Sequence, residues 1–129
     1  MKVTYEMENG RKVKVKTYVD GTVYKFDEND NEIYHKDNDG YEYWSEYNTN
    51  GNKTYFRNTN GYEHWREYDV NGNEIHFKSN RGFEQWYEYD ENGNLIHWKR
   101  SDDYEQWYEY DENGNLIHSW NNRGDEKWY

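Results

Sequence analysis

The stretch Phe83–His97, FEQWYEYDENGNLIH, returns 21 residues later as YEQWYEYDENGNLIH over Tyr104–His118, and the two copies differ only at their first residue. Self-similarity at a fixed period marks a repeat architecture. The period extends outward from this pair in both directions. Trp44, Trp65, Trp86, Trp107 and Trp128 keep it, as do Glu46, Glu67, Glu88 and Glu109, and the aromatic series Phe26, Tyr47, Tyr68, Tyr89 and Tyr110. Gly51, Gly72, Gly93 and Gly114 mark one turn. Gly40, Gly61, Gly82 and Gly124 mark a second, in which Asp103 once stands for glycine. Residues 26–129 therefore read as regular repeats. Gly10 and Gly21 are out of phase, so residues 1–25 read as an atypical N-terminal capping unit of one domain spanning 1–129.

Each unit predicts two strands and two turns. Asn92-Gly93 between aromatic and aliphatic runs is a strong hairpin signal, because a type I′ turn needs φ > 0 at both central residues. Counting outward from a two-residue loop, Tyr89 faces Ile96, Glu88 faces His97, Tyr87 faces Trp98 and Trp86 faces Lys99. Alternate residues share a face. Face one then holds Tyr87, Tyr89, Ile96 and Trp98, and face two holds Trp86, Glu88, His97 and Lys99. In the preceding unit Glu67 faces His76 and Trp65 faces Lys78. The pairs make chemical sense: aromatic with aliphatic, carboxylate with imidazole, indole with ammonium. No stretch keeps a helical period. The expected fold is all-β, with tandem antiparallel β-hairpin repeats forming a meandering, twisted or solenoid-like sheet.

Composition limits what holds such a sheet together. Only 32% of the residues are hydrophobic and 21% are aromatic, so Tyr and Trp must supply most of the buried area. A thin sheet or shell fits this better than a thick aliphatic core. High charge with few aliphatics is the mark of disorder, but the aromatic and β-branched content argues for strands. The net charge of −11 argues against direct binding to nucleic acid or to an anionic membrane. Cys is absent, which removes disulfides and thiolate chemistry. No run approaches the roughly 18 apolar residues of a membrane helix, and Met1–Gly10 has no signal-peptide pattern, so a cytoplasmic location is expected.

The segment EYDENGNLIHWKRSDDYEQWYEYDENGNLIH resembles the YD repeat of the Rhs family. Tyr68-Asp69 with Gly72, Tyr89-Asp90 with Gly93 and Leu95, and Tyr110-Asp111 with Gly114 and Leu116 carry the likeness, and Tyr47-Asn48 with Gly51 is a weaker copy. The resemblance implies β-sheet that winds into a shell around a toxin or serves in surface adhesion, with no active site of its own. The recurring Trp and Glu depart from the usual YD pattern. WYEYDENGN also looks like the hairpin of choline- or cell-wall-binding repeats, although their usual Gly-Trp opening is missing.

The candidate chemistry is periodic, and that counts against catalysis. A glycosidase needs two carboxylates whose environments separate their pKa values; the column Glu46, Glu67, Glu88, Glu109 repeats one environment. His76, His97 and His118 also form a column. Two strands separate successive copies, roughly 9–10 Å at the usual spacing, whereas ligands lie about 2 Å from a metal. No metal site is expected. The Asp- and Asn-rich turns lack the closing Glu of a calcium loop, and turn chemistry accounts for them. No serine sits in a nucleophile elbow and no glycine-rich phosphate loop is present. No cofactor is expected, and the chain reads as no enzyme.

The column Trp44, Trp65, Trp86 and Trp107 has two readings. It is a structural ladder packed beside Lys and Arg, or an exposed aromatic stripe flanked by Glu46, Glu67, Glu88 and Glu109 that binds a ligand. On the second reading the partner is a protein with a basic surface. A specific version is an inhibitor encoded by a phage or mobile element that blocks a nucleic-acid-binding host defence enzyme. The alternatives are a carbohydrate- or cell-wall-binding module that uses the aromatic stripe, and a structural fragment of a YD-repeat shell.

Overall fold

The computed structural model describes all 129 residues, and every regular element in it is a strand. Six strands form the first part of the chain: β1 (Lys2–Glu8), β2 (Arg11–Thr17), β3 (Val23–Phe26), β4 (Glu32–Lys36), β5 (Glu42–Tyr47) and β6 (Lys53–Asn58). Seven follow: β7 (Glu63–Tyr68), β8 (Glu74–Ser79), β9 (Glu84–Tyr89), β10 (Leu95–Arg100), β11 (Glu105–Tyr110), β12 (Leu116–Asn121) and β13 (Glu126–Trp128). Strand order in the sheet is chain order, an all-antiparallel hairpin meander. The chain divides into two compact units, Met1–Trp65 and Arg66–Tyr129. No helix is long and apolar enough to cross a membrane.

The regular turns differ from the two-residue loop that Asn92-Gly93 suggests. Gly93 N–H donates to the Asp90 carbonyl at 3.1 Å, and Asp90 N–H donates to the Asn94 carbonyl at 2.9 Å. Gly93 has φ +84°, while Asn92 keeps a negative φ. The loop is therefore three residues long, a type I turn closed by a left-handed glycine. The Asp90 side chain accepts from the N–H of Asn92 and of Asn94, each at 2.9 Å. Asp27, Asn48, Asp69 and Asp111 make the same two bonds in their own turns. At the second turn of the unit Asp103 takes the left-handed position with φ +68°.

The extra loop residue shifts the register, and a bulge shifts it back. Tyr89 pairs with Leu95, not with Ile96, and the ladder then skips a residue so that Glu88 pairs with His97, Tyr87 with Trp98 and Trp86 with Lys99. Ile96 is the residue left over, as a β-bulge requires. The same skip falls at Ile33, at Thr54 and at Ile117. Two departures cancel, so the outer pairs are those the sequence count expects, while the pair nearest the turn is not.

A type I′ turn does form once. Asn9 (φ +53°) and Gly10 (φ +78°) join β1 to β2, which pair without a bulge from Glu8 and Arg11 out to Lys2 and Thr17. The capping unit thus differs from the repeats in turn geometry as well as in phase.

No large side chain is fully enclosed, and Val13 and Val15 are the only buried hydrophobic residues. Rows of rings across the strands take the place of a core. On face one of the first unit Tyr24, His35, Tyr43, Phe56 and His64 lie in file, with successive ring centroids 4.6, 4.9, 5.6 and 5.1 Å apart. Such pairs contribute beyond the area they bury.

Candidate functional site

The four candidate Trp–Glu pairs all lie on face two. Trp44 and Glu46 are on β5, Trp65 and Glu67 on β7, Trp86 and Glu88 on β9, and Trp107 and Glu109 on β11. Each occupies the same place on its strand because the 21-residue period equals one complete pair of strands and turns.

Each Trp ring has a neighbour on the preceding strand. In the first unit Tyr34 lies 5.7 Å from Trp44 and Tyr55 lies 5.7 Å from Trp65. In the second unit His76 stacks on Trp86 at 5.6 Å, His97 on Trp107 at 5.3 Å and His118 on Trp128 at 3.6 Å. Three of these rings also have a neighbour on the following strand. The Arg57 guanidinium lies 3.9 Å from the Trp44 centroid, the Lys99 ammonium 5.9 Å from Trp86, and the Trp120 ring 5.9 Å from Trp107. The indoles of Trp44, Trp86 and Trp107 are thus held between neighbours on both sides, and Trp65 and Trp86 are 40% and 38% exposed.

The histidine column is held between two carboxylate columns. His76 Nδ1 lies 3.1 Å from Glu67 and its Nε2 lies 2.7 Å from Glu84. His97 repeats this with Glu88 at 3.1 Å and Glu105 at 3.8 Å. His118 repeats it with Glu109 at 3.4 Å and Glu126 at 2.8 Å. Burial pushes the His76 pKa down, but the hydrogen bonds the ring makes to Glu84 and Glu67 outweigh it, and the net shift is upward. Both ring nitrogens can donate only in the imidazolium form. In the first unit Tyr34 and Tyr55 hold the histidine's place and donate to Glu42 and Glu63, each at 2.6 Å. Burial first, and then Glu42, push the Tyr34 hydroxyl up to about 12.

A second column, Glu42, Glu63, Glu84, Glu105 and Glu126, is unbroken at the same period, but only the structure shows what it contacts. Two of its members differ from the first column in exposure. Glu84 and Glu105 are only 27% exposed and engaged, whereas Glu67 and Glu88 are 67% exposed. Glu46, Glu67, Glu88 and Glu109 all meet solvent, and so does Glu126 of the second column, which is 55% exposed. With Tyr55 and Glu63, Glu46 and Trp65 line a shallow hollow of 480 Å³.

The Tyr of each Tyr-Asp step has a second role that only the structure shows. Tyr47 donates its hydroxyl to the Glu32 carbonyl, Tyr89 to Glu74 and Tyr110 to Leu95, at 2.7, 2.7 and 2.8 Å. Glu32 and Leu95 immediately precede the bulged residues Ile33 and Ile96, where the ladder leaves a main-chain group to satisfy. The hydroxyl satisfies it. Thr59, Ser101 and Asn122 act similarly beyond the second turn, each accepting with its side chain from the N–H of Glu42, Glu84 or Glu105 while its own N–H donates to that residue's carbonyl.

This arrangement offers no asymmetric acid–base pair. The same Glu–His–Glu grouping occurs three times, with one difference: His97 Nε2 lies 3.8 Å from Glu105, beyond hydrogen-bond distance, where His76 and His118 bond at 2.7 and 2.8 Å. No group of three His, Asp or Glu side chains converges on a point that could hold a metal ion.

No protein-family model matches the chain, and no curated protein does. Solved structures do resemble it. The TcdB2–TccC3 structure without its hypervariable C-terminal region matches with TM-score 0.64 and 18% identity over 86% of this chain. The complete TcdB2–TccC3 structure matches with TM-score 0.62 over 86%, and the Tc holotoxin pore of Photorhabdus luminescens with TM-score 0.62 over 87%, both at 18% identity. The chain spans 7% of the length of each. At this identity the likeness is one of fold: the chain folds as an antiparallel hairpin array of the kind those toxin assemblies contain.

Proposed function

We propose that the chain is a non-enzymatic, YD-type hairpin scaffold that presents the exposed carboxylate column of face two to a basic protein partner. One observation carries this reading. The periodic Tyr and His side chains and the indoles of Trp44, Trp86 and Trp107 are already engaged in cross-strand contacts, whereas Glu67, Glu88 and Glu109 of the candidate column, and Glu126 beside His118, remain more than half exposed. Regularly spaced carboxylates on a rigid face suit a regularly basic surface. The likeness to Tc toxin structures supports the scaffold half of the reading. The narrower version, an inhibitor that fills a basic nucleic-acid channel, uses the same column and adds a particular partner. Carbohydrate binding is disfavoured, because a sugar needs a free ring face and Trp44, Trp86 and Trp107 have neighbours on both sides.

The test separates position from net charge. Glu46, Glu67, Glu88 and Glu109 are changed together to Gln, which keeps a hydrogen-bond acceptor for each imidazole. A control changes four turn carboxylates, Asp39 to Asn and Glu28, Glu91 and Glu112 to Gln, for the same change in charge. Polylysine serves as the basic probe in titration calorimetry. The face-two variant is expected to lose binding and its steep salt dependence while the control keeps both. Equal loss in the two variants contradicts a face-two site.

A further inference from the structure

The sheet has an open edge that is unusually well suited to a second copy of itself. In this chain β1 pairs only with β2. It is seven residues long, KVTYEME, and six of the seven are exposed. Val3, Tyr5 and Met7 form a row that is 43%, 59% and 67% exposed. The strand has no proline and no bulge, two of the devices that protect an edge from pairing. β13, the strand at the other end of the order, is three residues long.

The turn geometry fixes which main-chain groups are available. A two-residue I′ loop closes on a hydrogen-bonded pair, here Glu8 with Arg11. Glu8, Glu6, Thr4 and Lys2 therefore aim their N–H and C=O groups at β2. Met7, Tyr5 and Val3 aim theirs outward. The exposed apolar row is also the row with unpaired main chain.

We propose that two copies of this chain associate through β1, antiparallel, with the two-fold axis at Tyr5. The strand is complementary to its own reverse. With Tyr5 opposite Tyr5 of the second copy, Val3 lies opposite Met7, Thr4 opposite Glu6 and Lys2 opposite Glu8. The Tyr5 pair occurs once, on the axis, and each of the other three occurs twice. The apolar row continues across the axis on face one, and Lys2 meets an opposite charge on face two. All seven residues of β1 find a partner, and the outward groups of Val3, Tyr5 and Met7 complete the ladder. An isologous contact of this kind closes on itself and stops at a dimer. Edge pairing covers a narrow strip, so the dimer is expected to depend on concentration. The inference is independent of what face two binds.

Sedimentation velocity across a concentration series tests it. The mass is expected to rise from 16.1 kDa toward twice that value. Tyr5→Glu opposes two carboxylates across the axis, yet each finds Lys12 and Lys14 in its own hairpin, where Lys12 already lies 4.5 Å from the Tyr5 ring and Lys14 pairs with Tyr5. That variant is expected to stay folded by circular dichroism and to remain a monomer. The chain has no cysteine, so Tyr5→Cys reports the register by forming a disulfide-linked dimer on mild oxidation. A monomer at every concentration overturns the proposal. So does a dimer that survives Tyr5→Glu, or one that cross-links through Thr4→Cys and not through Tyr5→Cys.

Discussion

The N-terminal hairpin and the hairpins that follow reach similar strand pairing by different routes. β1 and β2 are joined by two residues in a I′ turn and pair without interruption. β9 and β10 are joined by three, and a bulge at Ile96 restores the alignment. The first route needs positive φ at Asn9 and Gly10. The second needs one left-handed residue, an Asp that bonds two turn amides, and a tyrosine hydroxyl for the carbonyl beside the bulge. The capping hairpin has no Trp row and buries Val13 and Val15 instead. The Tyr-Asp step is thus two halves of one device: Asp shapes its own turn, and Tyr satisfies the bulge of the hairpin before it.

The largest expected effect breaks the row that the capping unit lacks. Trp107→Ala removes the ring held between His97 and Trp120, and a loss of about 2–3 kcal/mol in urea unfolding is expected for this half-buried side chain. Gly93→Ala comes next. An added Cβ at Gly93 meets nothing within 4 Å, so only the φ of +84° opposes it, and about 1–2 kcal/mol is expected from that strain. Tyr110→Phe removes the bond to the Leu95 carbonyl and should cost about 1 kcal/mol. Tyr5→Phe in the unbulged hairpin should leave monomer stability unchanged, and an equal cost at both sites would show that the hydroxyl is not tied to the bulge. Asp103→Gly should stabilise by roughly 0.5 kcal/mol, because it relieves a left-handed aspartate.

Much of this was legible in the letters. The period and the all-β class follow from spacing and alternation alone, and the Glu88–His97, Tyr87–Trp98 and Trp86–Lys99 pairs match a count from a two-residue turn because the longer loop and the bulge cancel. The turn type did not, because Asn-Gly serves both a I′ loop and the last two positions of a three-residue loop. The bulge was hidden for a related reason. Ile96 is as apolar as its neighbour Leu95, so the alternation gives no sign that one of them is extra. The exposed Glu column was visible, but the second column was masked by the abundance of Glu. Nor could the sequence show that the indoles are sandwiched, since that depends on pairing across two strands at once.

Proton binding offers a further contrast between turns and faces. Asp69, Asp90 and Asp111 are held below the usual carboxylate range, mainly by the main-chain N–H of Asn73, Asn94 and Asn115. A depressed folded pKa stabilises above the unfolded value near 3.8, and that contribution is lost as pH falls through the folded pKa. His76 has the opposite sign. Its raised pKa stabilises fully below the unfolded value of 6.5, and the contribution is lost as pH rises through the folded pKa. Thermal melts should therefore fall at both ends, with the acid loss reduced by Asp90→Asn and the loss that begins above pH 6.5 reduced by His76→Gln.

On the proposed reading, the periodic side chains of face two serve the sheet first and leave the exposed carboxylates for a partner. The imidazole titration of His76, followed by NMR, tests it most directly. With Glu67 and Glu84 at its two nitrogens, the ring should titrate above 6.5, and Glu84→Gln should lower the value. A midpoint at or below 6.5 that ignores Glu84→Gln would mean that the ring is not held between the two carboxylates, and would contradict the account.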